Sequence, residues 1–146
     1  MSLSTPEILS AYDLVRSDKS PTNWLLLSNP PSSTSQQLVL RATGEGGIPE
    51  LLTHLSPSEV SYAYVRIQYA NDAESVRVKF ALIIWIGEQT KVMRKARVSI
   101  ESGEVKKVLA HHSVCLQVSE TKEVNEEEIV KLLRKAGGAD YNGGRG

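Results

Sequence analysis

The sequence has few cysteines, few aromatic residues and no long apolar run, and each shortage excludes a class of protein. Cys115 is the only cysteine among the 146 residues, so a fold stapled by disulfides is excluded. The longest apolar run covers the seven residues 80–86, far fewer than the roughly 20 that a membrane helix needs. Residues 1–7 have neither the basic start nor the apolar stretch of a signal peptide. We therefore expect a cytoplasmic protein that does not insert into membranes.

A net charge is also missing, because 17 Lys and Arg residues balance 17 Asp and Glu residues. A neutral chain is not expected to coat nucleic acid or anionic membranes indiscriminately. Aromatic residues make up only 5% of the chain, which leaves few side chains on which bases could stack. Hydrophobic residues make up 40% of the chain, and a chain of this length can bury a stable core without disulfides or structural metals. These values predict one globular domain with no nucleic-acid partner.

The apolar pattern and the turn residues predict four helices and five strands. The first predicted helix begins after a cap at Ser4 or Thr5, and the second follows Gly46-Gly47. The third spans residues 100–111, and the fourth runs from a cap at Asn125 to a stop at Gly137-Gly138. The predicted strands are 24–27, 37–42, 61–69, 77–86 and 114–118, with a polar loop at 29–35 and a turn at 70–74. The apolar run at 80–86 is typical of a central strand covered on both faces. This order predicts an α+β fold, with one mixed sheet between helices on its two faces.

A glycine-rich segment, Gly44-Glu45-Gly46-Gly47, stands before a predicted helix, where backbone amides could cradle a phosphate. A P-loop needs Lys and then Ser or Thr after its last glycine, but Ile48 and Pro49 follow here. Glu45 would also repel a phosphate. We therefore interpret the segment as a tight turn from a strand to a helix.

His54, His111, His112 and Cys115 are the residues that could suggest a metal site or a nucleophile. Neighbouring side chains on a helix point about 100° apart, so His111 and His112 form a poor metal clamp. A helix end that favours cations is the ordinary explanation for both. Cys115 is expected as a small buried side chain in a strand. We therefore predict no metal site and no catalysis, with a small enzyme built on Cys115 and His112 as the remaining alternative.

The neutral total hides two blocks of opposite charge. Residues 88–112 carry six Lys and Arg against three Glu, a net charge of +3, and residues 119–130 carry five Glu against one Lys, a net charge of −4. Met93 lies among four cations, namely Lys91, Arg94, Lys95 and Arg97. A flexible apolar side chain ringed by positive charge is typical of a site that binds an acidic protein. An ordinary solvated helix face is the alternative interpretation.

Four segments, taken in order along the chain, carry a family likeness. They are AYDLVR at 11–16, Val65-Arg66, FALIIWIGE at 80–88 and KAGGADY at 135–141. Together they resemble the coactosins, which are members of the actin-depolymerising factor/cofilin homology (ADF-H) domain group. The third segment is similar to the central strand of that family. The resemblance runs over nearly the whole chain.

The resemblance implies a fold and a function. The fold would be a single ADF-H domain over residues 1–139, followed by a flexible tail at 140–146. Its sheet would be mixed and mostly antiparallel, with five to six strands and helices packed on both faces. The function would be that of a monomeric protein that binds along actin filaments, with no cofactor and no enzymatic activity, and modulates filament stability or the access of other binders.

Two sets of site residues also follow from the resemblance. A lysine just after the Trp-Ile-Gly-Glu strand is central to filament binding in coactosins, and Arg97 falls on that position. The stretch through which the wider group contacts actin is covered by Lys91, Met93, Arg94 and Lys95. A second, filament-specific surface is implied for six further basic residues, namely Arg66, Arg77, Lys79, Lys131, Arg134 and Lys135.

Two other functions stay open at this point. A cofilin-like protein would prefer monomeric actin and would sever or depolymerise filaments. A scaffold or chaperone would bind another acidic protein, with actin incidental. Filament length distributions test the first alternative, and recovery of one stoichiometric partner from an actin-depleted lysate tests the second.

Overall fold

In the computed structural model, five strands and five helices make up the part of the chain that is described. That part comprises residues 3, 5–30, 37–70 and 75–142, with side chains described as far as residue 136. The strands are β1 (Trp24–Ser28), β2 (Val39–Gly44), β3 (Val60–Ala70), β4 (Val76–Ile86) and β5 (Val114–Val118). The helices are α1 (Pro6–Arg16), α2 (Gly47–Leu52), α3 (Val92–Ala96), α4 (Val98–Val108) and α5 (Glu126–Asn142), with a 3₁₀ turn at Thr121–Glu123.

The strands form one sheet in the order β2-β1-β3-β4-β5. β1 pairs antiparallel with β2 and β3, β3 pairs antiparallel with β4, and β5 lies parallel to β4. The predicted α+β fold, a mixed and mostly antiparallel sheet between helices, is therefore confirmed. The middle strand is β3 rather than β4, although β4 lies beside it and is buried over residues 80–85 as expected.

Alternation along the strands divides the core into two layers. On one face of the sheet, Leu82 and Ile84 pack with apolar residues of α1 and α4. On the other face, Ile83 and Trp85 pack with apolar residues of α2 and α5. Two helices thus close each face, and among the described residues α3 contributes no side chain to either layer.

The first helix begins where the sequence predicts. Pro6 occupies its first position, and Thr5 Oγ1 accepts a hydrogen bond of 3.3 Å from the Ile8 N–H. The sequence spacing of Ile8, Leu9, Tyr12 and Val15 predicts a buried stripe, but Leu9 is 39% exposed. Ala11 replaces it, because residues 8, 11, 12 and 15 complete the helical repeat on the buried side.

Three helix boundaries differ from the prediction. The helix expected over 100–111 is α4, which begins at Val98 and ends at Val108, and the short α3 before it was not predicted. Asn125 does cap α5, since its Oδ1 accepts a hydrogen bond of 3.2 Å from the Glu128 N–H. The stop predicted at Gly137-Gly138 is wrong, because α5 continues to Asn142 and includes the first residues of the expected tail. A glycine costs a helix only about 1 kcal/mol and removes none of its backbone hydrogen bonds.

Some expectations fall on residues outside the described ranges. These are the cap at Ser4, residues 31–35 of the polar loop, residues 71–74 of the turn and residues 143–146 of the tail. Within the described ranges, no helix combines the length and the apolar character that a membrane crossing requires.

Candidate functional site

The link from β4 to α3 is tied to the loop that precedes β3. Gly87 N–H donates a hydrogen bond of 3.0 Å to Glu59 O, and Gln89 N–H donates one of 2.7 Å to Pro57 O. A Cβ on Gly87 would stand 2.3 Å from Pro57 O, so only glycine fits there. Thr90 is 6% exposed, and its Oγ1 donates to Glu59 O at 3.4 Å. The helix α3 therefore starts from a fixed point at the end of the sheet.

The helix α3 and the first turn of α4 present large apolar side chains to solvent. Val92, Met93 and Ile100 are 79%, 80% and 77% exposed. Only Arg97 separates the two helices, and its dihedral angles are helical (φ −84°, ψ −12°), so the helical repeat continues across the break. Met93 and Ile100 are seven residues apart and therefore lie on the same side of this stretch. We call the exposed surface of residues 91–100 the α3 face.

The exposed charges on the α3 face are positive. Lys91 and Lys95 are exposed, and neither side chain forms a hydrogen bond or ion pair to the described part of the chain. Arg97 is half-buried, and its shielded Nε has no hydrogen-bond partner among the described residues. The face thus combines apolar contact area with cations that form no ion pair within the described residues.

Arg94, which the sequence places in the same stretch, points inward. Its side chain is 15% exposed, and Nη2 donates a hydrogen bond of 2.7 Å to Oε1 of Glu101, whose side chain is 5% exposed. Its Nε donates to Asn29 Oδ1 at 2.9 Å. Tyr62 OH donates to the same Glu101 oxygen at 2.7 Å. Burial, and then this bond to Glu101, raise the pKa of Tyr62 far above the ordinary tyrosine range, so the hydroxyl stays protonated.

The second set of basic residues lies at the other end of β4. Arg77 stands opposite Tyr69 in the β3–β4 register, and Lys79 points to the same side, which α5 covers. Arg134 of α5 donates a hydrogen bond of 2.7 Å to Ala70 O, and its guanidinium carbon lies 5.4 Å from the centroid of the Tyr69 ring. The structure therefore brings Arg77, Lys79 and Arg134 together.

Lys131 and Lys135 extend this second basic surface along α5. Both are exposed, and Lys131 forms an ion pair of 3.0 Å with Glu128. The strand β4 has 11 residues, so about 33 Å separates its two ends. The α3 face and the second basic surface thus lie at opposite ends of one strand.

Arg66 does not join that surface. Its side chain lies on the α1 side of the sheet, where Nη1 donates to Val15 O at 2.8 Å and Nη2 donates to Ser20 O at 2.7 Å. A third bond from Nη1 reaches Ser17 O. Arg66 therefore satisfies carbonyl groups at the C-terminal end of α1 and just beyond it, which is a structural role.

The glycine-rich segment at 44–47 is a turn from a strand to a helix, as predicted. Glu50 Oε1 accepts hydrogen bonds of 3.0 Å from the backbone N–H groups of both Glu45 and Gly46. These bonds, led by the one from Gly46, lower the pKa of Glu50. A carboxylate of the chain itself thus occupies the position that a bound phosphate would take.

Cys115 is exposed, so the expectation of a small buried side chain is wrong. It lies on the edge strand β5, in which alternate side chains point to opposite faces of the sheet. Leu116 and Val118 point towards the core, so Cys115 points outward. Partial loss of hydration raises the pKa of its thiol, which disfavours the nucleophilic thiolate. His112 Nδ1 lies 2.7 Å from Leu109 O, at the end of α4. Among the described residues, no group of three His, Cys, Asp or Glu is arranged to hold a metal ion.

Negative charge borders the α3 face on one side. A cleft of about 490 Å³ beside α3 is lined in part by Lys95, Glu88 and Glu123. An adjoining cleft of about 410 Å³ shares Glu88 and adds Glu120 and Lys122. A hydrogen bond with Glu120 and the charge of that carboxylate raise the pKa of Glu88, whereas Lys122 lowers the pKa of Glu120.

Comparison with known proteins assigns the chain to a family. The sequence profile of the family described as cofilin/tropomyosin-type actin-binding protein matches residues 1–134. Coactosin of Dictyostelium discoideum is 38% identical over 144 residues, which cover 98% of this chain and 96% of that protein. The chain belongs to the coactosin family of cofilin/tropomyosin-type actin-binding proteins. The likeness inferred from four sequence segments is therefore confirmed.

Solved structures of coactosins share the fold. The crystal structure of coactosin from Entamoeba histolytica has a TM-score of 0.82 at 28% identity and covers 90% of this chain and 94% of that one. The solution structure of mouse coactosin, described as an actin filament binding protein, has a TM-score of 0.70 at 31% identity and covers 94% and 92%.

Sequence reasoning missed several residues of this candidate site. Val92 and Ile100 were not singled out, because apolar residues in a helical repeat are expected in the core. The available signal was the seven-residue spacing from Met93 to Ile100 in a strongly charged stretch. Glu101 and Tyr62, which hold Arg94, carry no signal in the sequence, because they are 39 residues apart and meet only in the fold.

Proposed function

We propose that this protein binds along actin filaments through the α3 face and modulates filament stability or the access of other binders, without catalysis. One observation carries the proposal: Val92, Met93 and Ile100 are each more than three-quarters exposed, beside cations that form no ion pair with the described part of the chain. Family membership, and the description of mouse coactosin as an actin filament binding protein, support actin as the partner. We further propose that it acts as a monomer in the cytoplasm, on the actin cytoskeleton.

The apolar residues would supply most of the affinity. Burying a large apolar side chain contributes about 1.5–3 kcal/mol, and a few well-buried anchors dominate most interfaces. Met93 can adjust to an irregular surface, because its side chain is unbranched and polarisable. These exposed side chains do not stabilise the folded monomer, so they are available for a partner.

The cations would select and orient an acidic partner. Lys91, Lys95 and Arg97 would raise the association rate and fix the register, which are the main effects of charge at the edge of an interface. Arg97 takes the place of a lysine, so a planar guanidinium replaces a compact ammonium at this contact. Binding should weaken as salt rises, because exposed charges are screened within about 10 Å at 0.1 M salt.

The second basic surface would make the protein specific for filaments. We propose that Arg77, Lys79, Arg134, Lys131 and Lys135 contact a neighbouring subunit. A span of about 33 Å along β4 suits contacts with two adjacent subunits better than two contacts with one small patch. Arg94 supports the α3 face from below, since its charged group is bound within the fold. Arg66 holds the end of α1 and belongs to neither surface.

Filament cosedimentation with charge reversals tests the proposal. Lys95→Glu and Arg97→Glu should each raise the dissociation constant at least about tenfold, since like charges across an interface cost more than 1.4 kcal/mol. Lys106→Glu is the matched control, because it makes the same change of charge on an exposed site in the last turn of α4. It should change the dissociation constant by less than about twofold.

A second pair of variants tests the apolar residues. Met93→Ser should weaken pelleting by about tenfold or more, whereas Leu14→Ser, at a 45% exposed site on α1, should not. If all of these variants are folded and pellet like the wild type, the α3 face is not the binding site. Shortened filaments under the microscope would instead support a cofilin-like severing activity.

A further inference from the structure

The helix α3 lacks the usual means of attachment to a core. It has only five residues, too few to be stable alone, and none of them is buried. Its position therefore depends on the link at 87–91 before it, on its continuation through Arg97 into α4, and on contacts made by Arg94. Arg94 is the only α3 residue whose side chain forms a hydrogen bond to the described part of the chain.

The group that receives Arg94 is itself fixed from below. Glu101 is 6% exposed in the first turn of α4, and its Oε1 accepts from both Arg94 and Tyr62. Tyr62 is fully buried in β3, the middle strand of the sheet. Asn29 accepts from Arg94 and donates to Gln37 O at 3.1 Å, which adds the end of β1 to the same network.

We propose that the buried Arg94–Glu101 ion pair, held by Tyr62, positions the α3 face for its partner, so that Glu101 and Tyr62 are positioning residues for actin binding. The inference rests on the proposed function. Neither residue reaches the surface, and Arg94 acts through the orientation of its neighbours rather than through its own charge. Met93 and Lys95 flank Arg94 directly in the chain, so freedom gained by Arg94 passes to both.

A buried ion pair is not needed for stability as such. Replacing both partners by apolar residues of similar volume is often neutral or stabilising, whereas removing one partner leaves an unpaired buried charge. An apolar replacement would no longer fix the orientation of α3, because a charged pair with two anchoring hydrogen bonds permits fewer geometries than apolar contacts do. Replacing both partners therefore distinguishes an effect on the stability of the fold from an effect on the orientation of α3.

The test uses the full chain with the double substitution Arg94→Met/Glu101→Met, in filament cosedimentation over a series of salt concentrations. We expect the unfolding midpoint to fall only modestly, because both charges are removed together and only the Tyr62 hydroxyl is left without its acceptor. We expect the dissociation constant to rise about tenfold, because loosened side chains must be ordered on binding. The slope of log Kd against log salt should stay unchanged, since no exposed charge is lost.

Lys95→Met is the matched control for the salt series. It removes an exposed charge and should lower that slope, whereas the double variant should not. A dissociation constant equal to that of the wild type in the double variant would overturn the inference. A slope lowered to the value of Lys95→Met would also overturn it, because Arg94 would then contact the filament through its charge.

Tyr62→Phe provides an independent measurement if the double variant fails to fold. It keeps both charges and removes only the hydroxyl donor to Glu101, so we expect a rise in dissociation constant of about threefold with an unchanged salt slope. Wild-type affinity in Tyr62→Phe would contradict the role of Tyr62. Failure of the wild type itself to pellet with filaments would instead reject the proposed function, and with it the inference.

Discussion

Trp24 and Glu50 are joined across the turn before α2, where the indole Nε1 donates a hydrogen bond of 2.8 Å to the carboxylate Oε1. The same oxygen binds the N–H groups of Glu45 and Gly46, so one carboxylate closes the turn and anchors a fully buried indole. Glu50→Gln should lower the urea midpoint at pH 7, because bonds to a charged acceptor are stronger than bonds to an amide.

The pH dependence of this effect has a definite sign. The pKa of Glu50 is lowered in the folded protein, first by the bond from Gly46, so its stabilising effect is present above the ordinary glutamate pKa of about 4.3. The effect is lost as pH falls through the lower pKa of the folded state. The difference between Glu50→Gln and the wild type should therefore shrink at acid pH. Glu45→Gln is the control, and equal midpoints for all three proteins at pH 7 would contradict the account.

Two glycines should respond to alanine in opposite directions. Gly87→Ala should destabilise the protein by about 1–3 kcal/mol, because the added Cβ would meet the backbone of Pro57 at 2.3 Å. Gly103→Ala should stabilise it by about 0.5–1 kcal/mol, because Gly103 lies in α4 with no atom within 4 Å of the added carbon. Urea unfolding measures both, and a loss of stability in Gly103→Ala would show that α4 is packed differently.

Glu88 should be a source of destabilisation at neutral pH. Its pKa is raised in the folded state, first by the hydrogen bond with Glu120 and then by the charge of that group. Folding is therefore favoured while Glu88 is protonated and is disfavoured once both carboxylates are ionised. Glu88→Gln should raise the thermal midpoint at pH 7, with a smaller gain below the glutamate pKa. Glu104→Gln, on the exposed side of α4, is the control. A lower midpoint for Glu88→Gln at pH 7 would contradict this prediction.

Cys115 should react with iodoacetamide in the native state but slowly. The side chain is exposed, so reaction does not require unfolding, whereas the raised pKa keeps the thiolate fraction low. At pH 8 the rate should be below that of glutathione and independent of low concentrations of urea. Cys115→Ser should change the free energy of unfolding by less than about 0.5 kcal/mol. A rate above that of glutathione would reopen the alternative of a cysteine enzyme.

Much of this fold could be predicted from local chemistry, because strands such as 61–69 and 77–86 bury their side chains in a pattern that the sequence displays. The caps at Thr5 and Asn125 could be predicted for the same reason, since a cap depends on neighbouring residues only. The helix α3 could not be predicted, because it has no side-chain cap and its apolar residues face solvent. The end of α5 was misjudged because glycine weakens a helix without breaking it.

The composition of the site was predictable, but the roles within it were not. Lys91, Met93 and Lys95 are exposed as a charged stretch suggests, whereas Arg94 and Arg66 are bound inside the fold. A cation is buried only when distant groups satisfy it, and those groups come from other elements of the sheet and helices. The order of the strands, which brings Tyr62 beneath α4, is what decides the position of Arg94.

In the segment 87–96, the residues that hold α3 in place differ from those that face solvent. Gly87, Thr90 and Arg94 hold the helix, whereas the side chains of Lys91, Val92 and Met93 form no hydrogen bond or ion pair within the described chain. Residues that do not contribute to folding can be substituted without destabilising the fold. Positions 91, 92 and 93 could therefore be randomised to select variants that bind other partners, with this end of the sheet as the supporting structure.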